Sequence, residues 1–422
     1  MIRHPHPLRL TAAALALTAA LACSDDGASS TDGAEGDSGL PGADASGDAN
    51  ADTATAADTT ADVAPDVPGP DLTAPITEAG PYPVGYRVLT TEYTPDGDSD
   101  ARPLRIALWY PAGEAAGEPA EYSGLNTREE VFADAPLGVE GVAPLLIYSH
   151  GDRGYAEASF FLTEYFASHG WIVAAPDHAT NTIWDAGQER QDGIYAWRPQ
   201  DVSATIDHLL TGLPAEDPLT DHVNDAQIVV TGHSFGGYTS LALAGSTYQV
   251  DDVTADCARY SPTFCDHLAA GGADRLREGF RDPRVQAAIP MAPGNTPLIG
   301  AGGDTTAVPV LLITGALDMS SRNDTIGDPY WAGLDGPEDV RIDLATAGHM
   351  TFSDACGLFP GLFSDDGCGD GFLPAEVAHP IINAYSMAFA RYHLWGDDTD
   401  LDLLLGERSL DPDEINLSRK DR

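Results

Sequence analysis

Ser234 is the residue of this chain best placed to act as a nucleophile. It stands in Gly232-His233-Ser234-Phe235-Gly236-Gly237, between an apolar run, Gln227 to Thr231, and a segment from Phe235 to about Ala244 with helical character. A G-x-S-x-G sequence between strand and helix forms a sharp, strained turn that lifts the serine oxygen clear of the backbone. Glycines are needed on either side because a Cβ there would collide with neighbouring backbone. The turn also sets the oxygen at a helix N-terminus, whose partial positive charge favours a developing anion. In a chain with 44 glycines the pattern alone says little, and a glycine-rich turn without chemistry is the plain alternative. Its place between strand and helix is what points to nucleophilic acyl transfer.

A serine nucleophile needs a base, and the base needs an orienting acid. On this kind of elbow both follow the serine in the chain, acid first. Of the histidines beyond Ser234, His349 lies in Ala347-Gly348-His349-Met350, just after the expected strand Val340 to Leu344. His267 falls in an irregular stretch, and His379 and His393 in or beside a helix, where packing roles are the simpler reading. For the acid, Asp318 ends the apolar run that begins at Val310, at the carboxyl end of an expected strand where ligand-facing groups gather. Asp304 and Asp324 have no strand leading into them, and Asp343 lies inside one.

An oxyanion formed on the substrate needs two N–H donors. Phe235, next after the nucleophile, is one. The other is expected from Ser149-His150-Gly151-Asp152-Arg153-Gly154, the loop after the first long buried strand, with Asp152 as donor. The Asp152 carboxylate would have to point away or pair with Arg153. His150, His178 and Met291 are candidates to line the substrate pocket.

These residues require a frame of alternating strands and helices. Val84 to Tyr93 and Leu104 to Tyr110 read as antiparallel strands, and Pro144 to Ser149, Trp171 to Ala175, Gln227 to Thr231, Val285 to Ile289, Val308 to Thr314 and Val340 to Leu344 as buried ones. Helices are expected over Ala156 to Ser168, Arg198 to Leu210 with Pro199 in the first turn, Phe235 to Ala244, and Ala378 to Leu394. Such alternation argues for a mostly parallel sheet with helices on both faces, within one catalytic domain over 76–422. The stretch Asp251 to Asp282 breaks the rhythm as a small insertion.

Several segments together resemble the platelet-activating-factor acetylhydrolase and dienelactone-hydrolase-like branch of the α/β hydrolases. They are Ile106 to Pro111, Ser149-His150-Gly151, Ala167 to His178, Arg198-Pro199-Gln200-Asp201-Val202, the Ser234 elbow, and His349 with Phe352-Ser353-Asp354. The resemblance spans roughly Pro83 to Asp397. It implies the α/β-hydrolase fold and a cofactor-free Ser–His–Asp ester hydrolase acting on a small ester or lipid. Dienelactone hydrolases carry a cysteine nucleophile where this chain has Ser234. The acetylhydrolases carry their acid where this chain reads Ala288-Ile289-Pro290-Met291, without a carboxylate, which favours Asp318. Polyester hydrolases and chlorophyllase-like enzymes share much of the pattern, so the substrate does not follow.

The rest of the chain bears on location and partners. Residues 1–22 read as a signal peptide, with basic Arg3 and Arg9 before an apolar stretch too short to span a bilayer. Ala20-Leu21-Ala22-Cys23 resembles a bacterial lipobox, making Cys23 a lipidation candidate, while ordinary cleavage near Ala22 is the alternative. Residues 23–75, rich in Asp, Ala, Gly and Thr and without aromatic or basic residues, read as a disordered tether. Cys257 with Cys265 and Cys356 with Cys368 form two close pairs, read as disulfides of an oxidising compartment. A Cys₄ metal site is the alternative, without C-x₂-C spacing. Asp96 to Asp100 and Asp365 to Asp370 lack full calcium-loop spacing, so no metal is expected. A net charge of −45, from 66 acidic and 21 basic residues, disfavours nucleic-acid partners. A membrane is expected to be met only through the N-terminal anchor. The functional alternative to an exported ester hydrolase is a surface binding protein that keeps the scaffold without catalysis.

Overall fold

A computed structural model describes residues 74–295, 298–299, 306–359 and 361–420. The expected signal peptide, Cys23, nearly all of the tether and Asp304 lie outside the described residues. The strands are β1 (Val84–Tyr93), β2 (Arg102–Pro111), β3 (Pro119–Tyr122), β4 (Asn126–Ala133), β5 (Ala143–Ser149), β6 (Ile172–Pro176), β7 (Val223–His233), β8 (Val285–Met291), β9 (Leu311–Gly315), β10 (Val340–Leu344) and β11 (Ile415–Arg419). Among the described residues they form one sheet of eleven strands in the order β11-β10-β9-β8-β7-β5-β6-β2-β1-β4-β3. From β10 to β6 every neighbouring pair is parallel, while β2 joins β6 and β1 antiparallel.

The central strands are apolar throughout because helices cover both faces. Their period-two alternation divides the core. Ala107, Trp109, Leu146, Tyr148, Val173 and Ala175 pack on one side with α1 (Phe160–Ser168) and the last long helix (Ala375–Trp395). Ile106, Leu108, Leu145, Ile147, Ile172 and Ala174 face α2 (Ile194–Asp207) and α3 (Phe235–Leu243) on the other. Each fully buried Leu, Ile or Val contributes about 1.5–3 kcal/mol relative to exposure. The stretch 251–282 holds short helices, including Phe264–His267 and Ala273–Glu278, and the Cys257–Cys265 disulfide. No described helix is long and apolar enough to cross a membrane.

The last long helix opens at Ala375, three residues before the expected Ala378, and two other expected helices start a full turn away. α1 begins at Phe160 rather than Ala156, because its Phe161 N–H is taken at 2.9 Å by Asp354 Oδ2, a cap from far along the chain. α2 begins at Ile194, which puts Pro199 inside the helix rather than in its first turn. Proline has no N–H for the Tyr195 carbonyl one turn back. The Tyr238 hydroxyl of α3 donates to that carbonyl at 2.9 Å instead.

Candidate active site

β7 runs straight into the elbow. Ser234 has φ 58° and ψ −118°, a left-handed conformation that L residues adopt only under constraint. The constraint is visible in the hydrogen bonds. Ser234 N–H donates to the Met291 carbonyl at 3.0 Å, and the Ser234 carbonyl accepts from Gly294 N–H at 2.8 Å and Tyr238 N–H at 3.2 Å. A Cβ on Gly236 would stand 1.7 Å from the Ser149 carbonyl oxygen, and one on Gly232 2.5 Å from it. Only glycine lets the elbow approach the end of β5 this closely. Ser234 is left partly exposed.

Base and acid arrive from neighbouring strands. Asp318 follows β9, and His349 opens a short helical turn after β10. The two loops can meet because Gly315 lies against Ala347, where a Cβ would come within 2.5 Å of the Ala347 carbonyl oxygen. His349 Nδ1–H donates to Asp318 Oδ2 at 2.8 Å, and Asp318 Oδ1 accepts from the N–H groups of Ser320 (2.8 Å) and Ser321 (2.6 Å). Burial pushes the Asp318 carboxyl up, but the charge and hydrogen bond of His349, with the Ser321 N–H, outweigh it and hold its pKa below the ordinary value. Burial pulls the His349 pKa down, and the Asp318 carboxylate outweighs that, so the imidazole is more basic than usual.

His233 ties this pair to the elbow. Its ring centroid lies 4.6 Å from that of His349, and its Nε2–H donates to the His349 carbonyl at 2.9 Å. Burial pulls its own pKa down to about 3, so it is neutral whenever His349 can act. Nothing in the sequence marked it beyond its place beside Ser234.

On the other side lies the loop after β5. Phe235 is the first residue of α3, so its N–H has no carbonyl one turn back to bond. Gly151 packs beside the nucleophile, where a Cβ would lie 3.3 Å from Ser234 Cβ. The Asp152 carboxylate accepts from Asn181 Nδ2 at 2.7 Å and lies 3.7 Å from Arg190 Nη1. It does not pair with Arg153, which donates to the Gln188 carbonyl at 2.8 Å.

Beneath the loop sits Arg198, wholly buried. It donates to Asn181 Oδ1 (2.6 Å), Ser149 Oγ (3.2 Å), Thr239 Oγ1 (3.2 Å) and the His150 carbonyl, and its guanidinium lies 4.4 Å from the Phe235 ring centre. One side chain therefore touches both the 149–152 loop and the start of α3. Burial pulls its pKa down to about 9, leaving it cationic at neutral pH.

His150, His178 and Met291 are not at the surface of a pocket as the sequence reading expects, because all three are wholly buried. His178 Nδ1–H donates to Asp201 Oδ2 at 2.8 Å, and Ser149 Oγ–H donates to His178 Nε2 at 2.8 Å. His150 Nδ1–H donates to the Gly151 carbonyl (2.7 Å), and His150 Nε2 accepts from His178 N–H (3.1 Å). Burial and the Arg198 charge hold both rings neutral. With every ring nitrogen engaged, these histidines support the loop from below.

The remaining candidates stand apart from Ser234's surroundings. His379 stacks on Phe161 at 3.7 Å, His267 on Phe264 at 5.9 Å, and His393 lies 3.8 Å from Glu338. Asp324 pairs with Arg322 at the surface, and Asp343 accepts from Thr314 and Asn323. Cys356 and Cys368 are disulfide-bonded, with Cα atoms 5.0 Å apart, in the chain that follows His349. No group of three or more His, Cys, Asp or Glu among the described residues could hold a metal ion.

Residues 126–255 match the family model described as Chlorophyllase, a span that holds the 149–154 loop, α2 and Ser234 but ends before Asp318 and His349. Chlorophyllase-1 of Arabidopsis thaliana is 22% identical over 323 residues, covering 73% of this chain and 89% of that protein. Cutinase est1 and cutinase est2 of Thermobifida alba are each 25% identical over 203 residues, or 48% of this chain. The chain spans about half of their length, 52% and 51%. Among solved structures, a ferulic acid esterase from Streptomyces cinnamoneus superposes with a TM-score of 0.55 at 23% identity, over 82% of this chain and 98% of that one. The fold is thus shared with that esterase.

Proposed function

We propose that this chain, a carboxylic ester hydrolase of the α/β-hydrolase fold, works through Ser234 as nucleophile, His349 as general base and Asp318 as the acid that orients it. Ser234 Oγ attacks the ester carbonyl carbon while His349 Nε2 takes its proton. The carbonyl oxygen becomes an anion held by the N–H groups of Phe235 and Asp152. The tetrahedral centre collapses, His349 gives the proton to the leaving alkoxide, and the alcohol departs from a Ser234 acyl ester. Water, deprotonated by His349, then attacks that ester, releases the carboxylic acid and restores Ser234. Asp318 keeps the proton of His349 on Nδ1, so Nε2 is free to accept. The observation that carries the reading is the 2.8 Å bond between Asp318 and His349 on the loop pinned beside the strained Ser234 elbow.

The loop that carries Asp318 suits an apolar ester. Leu317 and Met319, on either side of the acid, are 42% and 67% exposed, two large apolar side chains next to it. Acyl groups of lipids or of aliphatic polyesters match such side chains. A p-nitrophenyl ester series of increasing chain length, read as kcat/KM, tests this: a flat or falling series would remove the apolar preference. Labelling with a fluorophosphonate tests the nucleophile, because only an activated serine reacts. Unlabelled wild-type protein, or label retained in Ser234→Ala, would sink the assignment.

Export belongs to the same reading. Two disulfides suit an oxidising compartment, and Cys23 is the proposed site of an N-terminal lipid. Loss of membrane-associated enzyme to the medium on Cys23→Ser, with loss of metabolic palmitate labelling, is the expected result. An unlabelled, freely released wild type would leave plain secretion.

A further inference from the structure

The loop closed by Cys356 and Cys368 carries an acidic side chain that reaches into both halves of the acid–base pair. Asp366 Oδ1 accepts from His349 N–H at 3.0 Å and from Met319 N–H at 3.1 Å. Its Oδ2 accepts from Ser320 Oγ at 2.7 Å. Its carbonyl accepts from Met350 N–H at 2.9 Å. One residue thus holds the backbone on the far side of Asp318 and the backbone of the base itself. The loop is pressed onto this place: a Cβ on Gly348 would lie 2.6 Å from Gly367 N, and one on Gly367, whose φ is +124°, 2.8 Å from Met350 N. The disulfide fixes the same loop two residues beyond Asp366.

We propose that Asp366 is a positioning residue that fixes the separation and orientation of Asp318 and His349, acting through the backbone of Met319, Ser320 and His349. It rests on the triad reading given above. Past the strand ends the two loops share two backbone bonds, Ala316 N–H to the Leu344 carbonyl (2.9 Å) and Leu317 N–H to the Ala347 carbonyl (3.0 Å), both before the acid and the base, so a carboxylate with two oxygens beyond them is a physical means of setting the spacing of Asp318 and His349. Displacement of a catalytic group by about 1 Å costs on the order of 100-fold in rate.

Electrostatics supply a signature that packing would not. Burial lowers the His349 pKa, while Asp318 and then Asp366 raise it. The other titratable groups on elements packed against the His349 turn are His233, lowered by burial to about 3, His379 on the last long helix, lowered by burial to about 4, and Asp354, raised by burial while it caps α1. The two histidines are neutral in the working range. Asp318 and Asp366 are therefore the anions that His349 meets.

The test uses the full chain with Asp366→Asn, which keeps the shape and one acceptor oxygen and removes the charge. Expected are a fall in kcat of about 10- to 100-fold with little change in KM, an unchanged thermal midpoint, and an acidic limb of kcat/KM moved to lower pH. Wild-type kcat together with an unmoved limb overturns the proposal. Should Asp366→Asn fail to fold, Ser320→Ala decides, since it removes only the contact to Oδ2: a lower kcat at unchanged thermal midpoint supports the role, and wild-type kcat overturns it. Ser234→Ala and Asp318→Asn are measured beside them. Activity surviving in those two removes the triad reading. Their inactivity alongside a wild-type Asp366→Asn removes only the role of Asp366.

Discussion

Nδ1 of His349 lies 2.8 Å from Oδ2 of Asp318, and the wholly buried pair of His178 and Asp201 has the same 2.8 Å spacing. Distance does not separate the two pairs; their surroundings do. His178 is buried beside the cations Arg198 and Arg102, and its pKa is driven well down. The charges that act on His349 are carboxylates, and its pKa is raised by Asp318 and then Asp366 against the pull of burial. Since His349 must be neutral to accept the Ser234 proton, a raised pKa moves the acidic limb of kcat/KM to a pH above the ordinary histidine value of about 6.5. Asp318→Asn should lower that limb and cost on the order of 10⁴-fold in kcat, the effect of losing the correct tautomer. A pH–rate profile of both proteins checks this. A limb below the ordinary value in the wild type, or near-normal turnover in the variant, would place the acid elsewhere.

Arg198 should matter to both stability and rate. Replacing it with Met leaves the His150 carbonyl and Asn181 Oδ1 without a buried donor, each at a cost of about 1–3 kcal/mol. Arg198→Lys keeps the charge but cannot reach four acceptors at once. We expect Arg198→Lys to melt earlier and to lose on the order of 100-fold in kcat/KM, as when one oxyanion donor is misplaced. Melting curves and single-ester kinetics decide it; full activity in the lysine variant would mean that the 149–152 loop holds its shape unaided.

The two disulfides should differ in consequence. Removing Cys356–Cys368 as a double serine variant opens a short loop, worth about 3 kcal/mol in unfolded-state entropy, and frees the segment that ends beside Asp366 and His349. Activity should fall at temperatures where the core is still folded. The Cys257–Cys265 pair lies in the 251–282 stretch, whose Phe264 reaches Phe235 through the Tyr195 ring rather than touching Asp318 or His349, so its removal should cost less activity than removal of Cys356–Cys368. Comparing residual activity with far-ultraviolet circular dichroism across a temperature series separates the two. Equal losses in both variants would contradict the difference.

What the sequence made legible follows from which forces are local. β1 and β10 occupy the residues expected of them, because β-branched and apolar content is written into the strand itself. The elbow was legible for the same reason: glycines on both sides of Ser234 answer a steric demand within a few residues. The start of α1 was not, because its cap is Asp354. Nor was Pro199 inside α2, whose missing donor is replaced by Tyr238 from another helix. Strands β3 and β11, at the two edges of the sheet, went unread because short edge strands carry weak patterns, and eight-residue β4 beside β3 because its first half, Asn126-Thr127-Arg128-Glu129-Glu130, is polar throughout. Asp366 stands in an acidic run without full calcium-loop spacing, and only the fold brings it to the backbone of His349.

Two glycines beside the nucleophile should respond differently to a single added methyl group. On Gly236 the new carbon would stand 1.7 Å from the Ser149 carbonyl oxygen, so the end of β5 or the elbow must move. Gly236→Ala should therefore lower the thermal midpoint and abolish activity together. On Gly294 the new carbon would stand 3.5 Å from Phe235 N and 3.6 Å from Ser234 Oγ, ordinary contact distances that the fold accommodates. An oxyanion, however, must sit about 2.7–3.1 Å from the Phe235 donor, and the methyl group would crowd that space. Gly294→Ala should melt with the wild type yet lose on the order of 100-fold in kcat/KM, the loss falling in kcat because the crowding is felt once the tetrahedral oxygen forms. Fluorophosphonate labelling should slow in parallel, since its phosphoryl oxygen uses the same space. If Gly294→Ala hydrolyses short p-nitrophenyl esters at the wild-type rate, the substrate carbonyl approaches Ser234 from another side, and the Phe235 N–H is not its donor.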